Sequence, residues 1–123
     1  MSGSKSRRKG DNYERDVVTY LNSIGLPVRR AKRGNDTGDI LGTPRLVLEC
    51  KDAVQFKLAA WVDQMQVEKL AGNATFGAVI AKRPRKRNVG EHYFVMTVED
   101  GLLLLQQAGV IELAEPEARH GLT

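Results

Sequence analysis

The chain has 123 residues, 41% of them hydrophobic, which suits one domain with a single packed core. No apolar stretch approaches the roughly 20 residues of a membrane span, the basic start has no signal-peptide segment, and the single cysteine cannot form an internal disulfide; a soluble cytoplasmic protein is expected, of host or phage origin. The net charge of +4 hides an asymmetry, +9 on the first 90 residues and −5 on the last 33, and a basic body points to a polyanion partner such as nucleic acid.

Residues 1–9, MSGSKSRRK, offer nothing apolar to bury and read as a flexible basic arm. Residues 10–110 read as one domain, and residues 111–123 as a loose tail. A helix is expected from about Asp11 to Ser23, with Tyr13, Val17, Tyr20, Leu21 and Ile24 as its buried stripe. Gly25 caps its end and Pro27 prevents resumption. A short strand follows over Pro27 to Ala31, then a turn-rich loop, Arg33 to Gly38.

Asp39 to Leu41 begins a second strand, Gly42-Thr43-Pro44 makes a tight turn, and Arg45 to Lys51 forms a third strand. A helix from about Leu58 to Ala71 has Leu58, Trp61, Val62, Met65 and Leu70 on its apolar side. Gly72-Asn73 closes it. Phe76 to Ala81 is almost wholly apolar and reads as a central strand buried on both faces. A basic loop, Lys82 to Arg87, leads to a strand over His92 to Val98. Thr97 and Asp100 then have capping-box spacing for a last helix through about Gln107. The order of elements predicts an α/β fold, a mixed sheet flanked by helices.

The chemistry centres on Leu48-Glu49-Cys50-Lys51. Alternation along a strand places Glu49 and Lys51 on one face and Leu46, Leu48 and Cys50 on the other. If residues 42–44 turn the chain, Asp39 lies near Val47 and diagonal to Glu49, and the two carboxylates can share a divalent cation. The Cys50 carbonyl completes a set of hard oxygen ligands suited to magnesium or manganese. Lys51 can hold the attacking water or offset charge on a phosphate. Glu14, at the edge of the first helix's buried stripe, can bind a second metal or orient water. Each piece alone has a plainer role: a strand pair for Glu49 and Lys51, turn chemistry for Asp39, a surface acid for Glu14.

Together these residues resemble the PD-(D/E)xK nuclease superfamily, and within it the archaeal and phage Holliday junction resolvases. The stretch Gly10-Asp11-Asn12-Tyr13-Glu14-Arg15 resembles the start of those proteins. Arg29 and Arg30, Asp39-Ile40 and Leu48-Glu49-Cys50-Lys51 follow in the matching order. Gly38 stands where the superfamily's name has Pro. The resemblance implies a restriction-endonuclease-like core and magnesium or manganese at Asp39 and Glu49. It implies Lys51 as the catalytic lysine, Glu14 completing the site, and a homodimer that cuts two strands of a four-way junction. Some superfamily members bring a Gln near the metal from the helix after Glu-x-Lys. Gln64 and Gln66 both fall there, and a solvated helix face is expected for them.

Lys5, Arg7, Arg8 and Lys9, then Arg29, Arg30, Lys32 and Arg33, then Lys82, Arg83, Arg85, Lys86 and Arg87 form three basic groups suited to phosphate contacts. Such runs also serve as solvated surface. Trp61 and the tyrosines are expected in the core, and His92 and His120 have no metal-ligand spacing. The expected activity is structure-selective cleavage of branched DNA, as in recombination and repair. The alternatives are a same-fold nuclease acting on other DNA, and a non-catalytic nucleic-acid-binding module.

Overall fold

The computed structural model describes residues 2–32 and 38–115, with side chains from Arg8 onward. In chain order it holds α1 (Ser2–Ser23), β1 (Arg29–Arg30), β2 (Ile40–Leu41), β3 (Leu46–Lys51), α2 (Leu58–Ala71), β4 (Phe76–Ala81), a single 3-10 turn (Val89–Glu91), β5 (Tyr93–Val95) and α3 (Val98–Gln107).

The bounds of α2 and β4 are those the apolar pattern predicts. The first helix is longer than expected: it begins at Ser2, because the Lys and Arg of the basic segment are good helix formers and no proline interrupts them. It ends at Gly25 (φ +95°), where the Leu26 N–H donates to the Leu21 carbonyl and the Gly25 N–H to the Asn22 carbonyl, a Schellman stop. Ile24 therefore lies beyond the last helical turn and is 61% exposed, not part of the buried stripe.

β4 sits between β3, to which it runs parallel from Leu46↔Phe76 to Lys51↔Ala81, and the antiparallel β5. Both faces of the β3–β4 pair are covered. Leu48, Cys50, Ala78 and Ile80 pack against Tyr13 and Val17 of α1. On the other face Val47, Val79 and Ala81 pack against Trp61 and Met65 of α2. Burial of each such aliphatic side chain contributes roughly 1.5–3 kcal/mol, so this pair anchors whatever β3 carries. Gly77 faces α2 as well, and a Cβ there would collide with Met65. Leu58 and Leu70, expected on the apolar side of α2, are instead exposed; only Trp61 and Met65 of that helix are fully covered, because one turn-spaced pair is enough to span two strands.

β1 and β2 form a separate antiparallel pair, Arg29↔Leu41 and Arg30↔Ile40. The Ala31 N–H extends it by donating to the Asp39 carbonyl (2.8 Å). α3 starts at Thr97, whose hydroxyl accepts from the Asp100 N–H. Only half of the expected capping box forms, because the Asp100 carboxylate pairs with Lys69 of α2 (2.9 Å) instead of reaching back. No helix among the described residues is long and apolar enough to cross a membrane.

Candidate active site

Glu49 and Lys51 owe their positions to β3. The strand is fixed at both faces by its apolar neighbours, so the alternate residues emerge on the α2 side. Glu49 is only 2% exposed. Lys51 stands at the strand end, and its Nζ donates to Gln64 Oε1 across α2 (3.0 Å). Gln64 donates in turn to Glu68 (3.4 Å). Of the two glutamines it is thus Gln64 that meets the lysine; its ring of solvent remains, since the residue is exposed.

Asp39 approaches the open edge of β3. Its N–H donates to the Leu48 carbonyl (3.0 Å), and its carboxylate accepts from the Cys50 N–H (2.8 Å). These two bonds place Asp39 beside the Leu48–Cys50 stretch, and not abreast of Val47 as a tight hairpin would. The difference has a local cause: β2 takes β1 as its ladder partner, so the turn at residues 42–44 is not bound to a two-residue hairpin register. Gly38 (φ +102°) makes the approach possible, since a Cβ there would meet Val47 and the Leu48 carbonyl.

Glu14 reaches the same region from α1. Arg30 of β1 donates through Nε to Glu14 (3.2 Å) and through Nη2 to Asp11 (3.0 Å). Arg30, expected among the phosphate-contacting bases, is instead tied to Glu14 of the site and to Asp11 one turn before it. Burial, and then the nearby Asp39, push the Glu14 carboxyl above its ordinary range against the pull of Arg30. Burial likewise raises Asp39, while the Cys50 N–H, Lys51 and Arg30 draw it back. Burial drives the Cys50 thiol far upward, so it stays protonated and is no thiolate ligand.

Among the described residues no three His, Cys, Asp or Glu side chains are grouped closely enough to enclose a metal ion. Glu14 leans to Arg30 and Asp39 to the Cys50 N–H. The donor chemistry nevertheless fits a hard divalent ion: partly desolvated carboxylates with raised proton affinity, beside the backbone of Cys50.

Sequence reasoning missed Asp52, which follows Lys51. Its carboxylate, 10% exposed, faces Lys9 of α1 (3.5 Å) and Lys82 after β4 (3.6 Å). It also missed the role of His92, which joins Tyr13 (2.8 Å) to the Lys86 carbonyl (2.7 Å). Tertiary packing of α1 against β3, β4 and the segment after β4 brings these groups together, and no short spacing in the sequence announces them. Trp61 and Tyr13 are core residues, as expected, whereas Tyr93, also expected in the core, is exposed on β5. Arg8, Arg29, Lys32, Arg85 and Arg87 are exposed. Arg33, His120 and the side chains of Lys5 and Arg7 lie outside the described residues, as does most of the 111–123 segment.

A mixed sheet between helices, with an acid-x-lysine at the end of a buried strand and an aspartate on that strand's edge, defines the restriction-endonuclease-like class of nucleases. The chain belongs to the archaeal Holliday junction resolvase (Hjc) family, whose sequence profile matches residues 5–103. Holliday junction resolvases are structure-selective endonucleases. Among solved structures, the Hjc of Archaeoglobus fulgidus, a Holliday junction resolvase from an archaeal hyperthermophile, is similar at 25% identity and a TM-score of 0.49, over 85% of this chain and 99% of that one. No curated protein matches.

Proposed function

We propose that this chain resolves four-way DNA junctions by hydrolysing phosphodiester bonds, with Glu14, Asp39, Glu49 and Lys51 as its reacting set. The observation that supports the reading is that Asp39 is bound to the Cys50 N–H at the edge of β3 while Lys51, at the end of that strand, is held by Gln64. Magnesium or manganese, held by Asp39, Glu49 and the Cys50 carbonyl with Glu14 at its margin, would supply an activated water and polarise the scissile phosphate. Asp39 and Glu14, raised above their ordinary range in the free protein, bind such an ion more weakly as pH falls.

Lys51 Nζ, a compact cation with three rotatable donors, holds the nucleophilic water in line and offsets charge on the phosphate oxygens. Gln64 fixes one of those donors and so limits where the amine can point. Arg30 keeps Glu14 from turning to solvent. The exposed bases hold the sugar–phosphate backbone without reading sequence, which suits recognition by shape.

A four-way junction presents two equivalent strands, which a twofold homodimer matches. Supporting that assembly, β5 and α3 leave a contiguous apolar face: Phe94, Val98, Leu102, Leu104 and Leu105 are each more than a third exposed around a hollow of about 400 Å³. Phe94→Glu is expected to give a monomer on size-exclusion with light scattering.

The test of the activity is incubation of a synthetic four-way junction, and of a plain duplex of the same sequence, with and without magnesium. Paired nicks in the junction alone, only with the ion, and lost in Asp39→Asn, are expected. Equal cutting of the plain duplex would remove junction selectivity, and full cutting by the variant would remove the assigned site.

A further inference from the structure

A second basic feature lies away from the carboxylates. Along α1 each residue turns the helix by about 100°, so Glu14 stands to one side of the buried Tyr13 and Val17, while Asp16, Thr19, Tyr20 and Ser23 stand to the other. Glu14 meets β1 through Arg30. The opposite flank of α1 faces the segment between β4 and β5, and the two enclose a cleft of about 660 Å³. Its walls carry four cations, Lys82, Arg85, Lys86 and Arg87, against one carboxylate, Asp16.

Lys82 shares Asp52 with Lys9, and the other three cations are poorly neutralised. Lys86 meets Glu91 only at 3.9 Å, with both side chains well exposed, a pair worth little. Arg85 and Arg87 have no ion-pair partner among the described residues. A concave group of like charges raises the energy of the compact state unless an anion fills it.

The segment is nonetheless held in shape by contacts that do not use its charges. His92 Nε2 donates to the Lys86 carbonyl, so Nδ1 accepts from the buried Tyr13 hydroxyl. The Asn88 side chain accepts from the Gly90 N–H. Gly90 leaves no room for a Cβ beside the Tyr20 hydroxyl. Arg85 adopts a left-handed backbone (φ +66°), which costs an arginine energy. The loop is thus built to present cations and to keep them facing α1.

We propose that this cleft seats a backbone phosphate of a second stretch of nucleic acid, on the flank of α1 opposite the carboxylates. The helix then lies between two stretches of polymer, one entering the hydrolytic site and one resting in the cleft. A branched substrate offers two such stretches to one domain, and a short duplex offers one. The proposal rests on the resolvase reading only for the identity of the polymer.

The test is the salt dependence of equilibrium binding to a four-way junction without divalent cations, for the full chain and for R85A/R87A. Each lost phosphate contact lowers the slope of log affinity against log salt by about 0.9. The double variant is expected to lose about 0.9 in slope and roughly tenfold in affinity near 0.1 M salt. Two variants on the α1 wall give opposite signs: Asp16→Asn tightens binding, and Thr19→Glu, at an exposed helical position, weakens it. An unchanged slope in R85A/R87A overturns the proposal, even where inorganic phosphate at millimolar concentration still shifts the NMR signals of His92. Junction cutting by the wild-type chain with magnesium is scored separately. A reduced slope with no cutting removes the nuclease reading and leaves the cleft; cutting with an unchanged slope does the reverse.

Discussion

The two faces of β3 hold neighbouring residues in opposite trades. On the α1 face Leu48 and Cys50 pack in the apolar cluster with Tyr13 and Val17, with Asp39 and Glu14 acting on Cys50 from the strand edge, and at Leu48 any hydrophobic side chain of similar volume would serve. On the α2 face the apolar series begins with Val47 and is then broken by Glu49 and Lys51, although Val79 and Ala81 continue it on β4. A buried carboxylate weakens a core unless something outside the core requires it. One strand thus supplies rigidity chiefly through one face and chemistry chiefly through the other, and adjacent residues should respond to substitution in different ways.

The largest effects should separate those responses. Leu48→Ala is expected to cost roughly 2–5 kcal/mol of stability, read by chemical denaturation, because it empties a fully covered position. Lys51→Ala, three residues along, is expected to change the denaturation midpoint little and to slow junction cutting about 10²–10³-fold, read in single-turnover assays. Comparable stability losses in both variants would mean that Lys51 is a structural group and would erase the division between faces.

Asp39 sharpens the comparison, since it serves the site at the expense of the free fold. Its raised proton affinity means that the folded chain holds the proton more tightly than the unfolded chain does. That contribution to stability is complete below the ordinary value of 3.8 and is lost as pH rises through the raised one. At neutral pH the charged, partly desolvated carboxylate is therefore a burden. Asp39→Asn, whose amide oxygen can still accept from the Cys50 N–H, is expected to melt roughly 2–4 °C higher at pH 7 without divalent cations. Magnesium should then raise the melting point of the wild type and leave that of the variant unchanged. A variant that melts lower at every pH would show the carboxylate to be structural.

How much of this was legible in the sequence follows the same division. Phe76 to Ala81 could be read because a strand covered on both faces has no other composition available to it. Glu49 and Lys51 could be placed on one face because alternation is a property of any strand. The register of Asp39 could not, since it depends on β2 choosing β1 as its partner, a contact between chain segments that no local pattern encodes. Exposure of Leu58, Leu70 and Ile24 was equally hidden: helical spacing says which residues share a face, and not how much of that face the neighbouring strands will cover. Arg30 resembled every other base in its segment until Asp11 and Glu14 were found on either side of it.

The smallest predicted effect concerns the hydrogen bond that runs from Lys51 on the chemical face to the helix above it. Gln64 Oε1 accepts from Lys51 Nζ, and nothing apolar depends on Gln64, which is exposed. Gln64→Ala should leave stability within about 0.5 kcal/mol of the wild type, as for an ordinary surface change. The amine loses the acceptor that limits its direction but keeps its charge, so cutting should slow about tenfold, the low end of what supporting contacts around a reactive centre contribute. Gln64→Glu separates direction from charge. It keeps an acceptor at the same reach but adds an anion beside Lys51 and beside Glu68, which should slow cutting further while junction binding without divalent cations stays unchanged. If Q64A and Q64E both cut at the wild-type rate, the lysine is positioned by β3 alone, and the division between the two faces of that strand needs no help from α2.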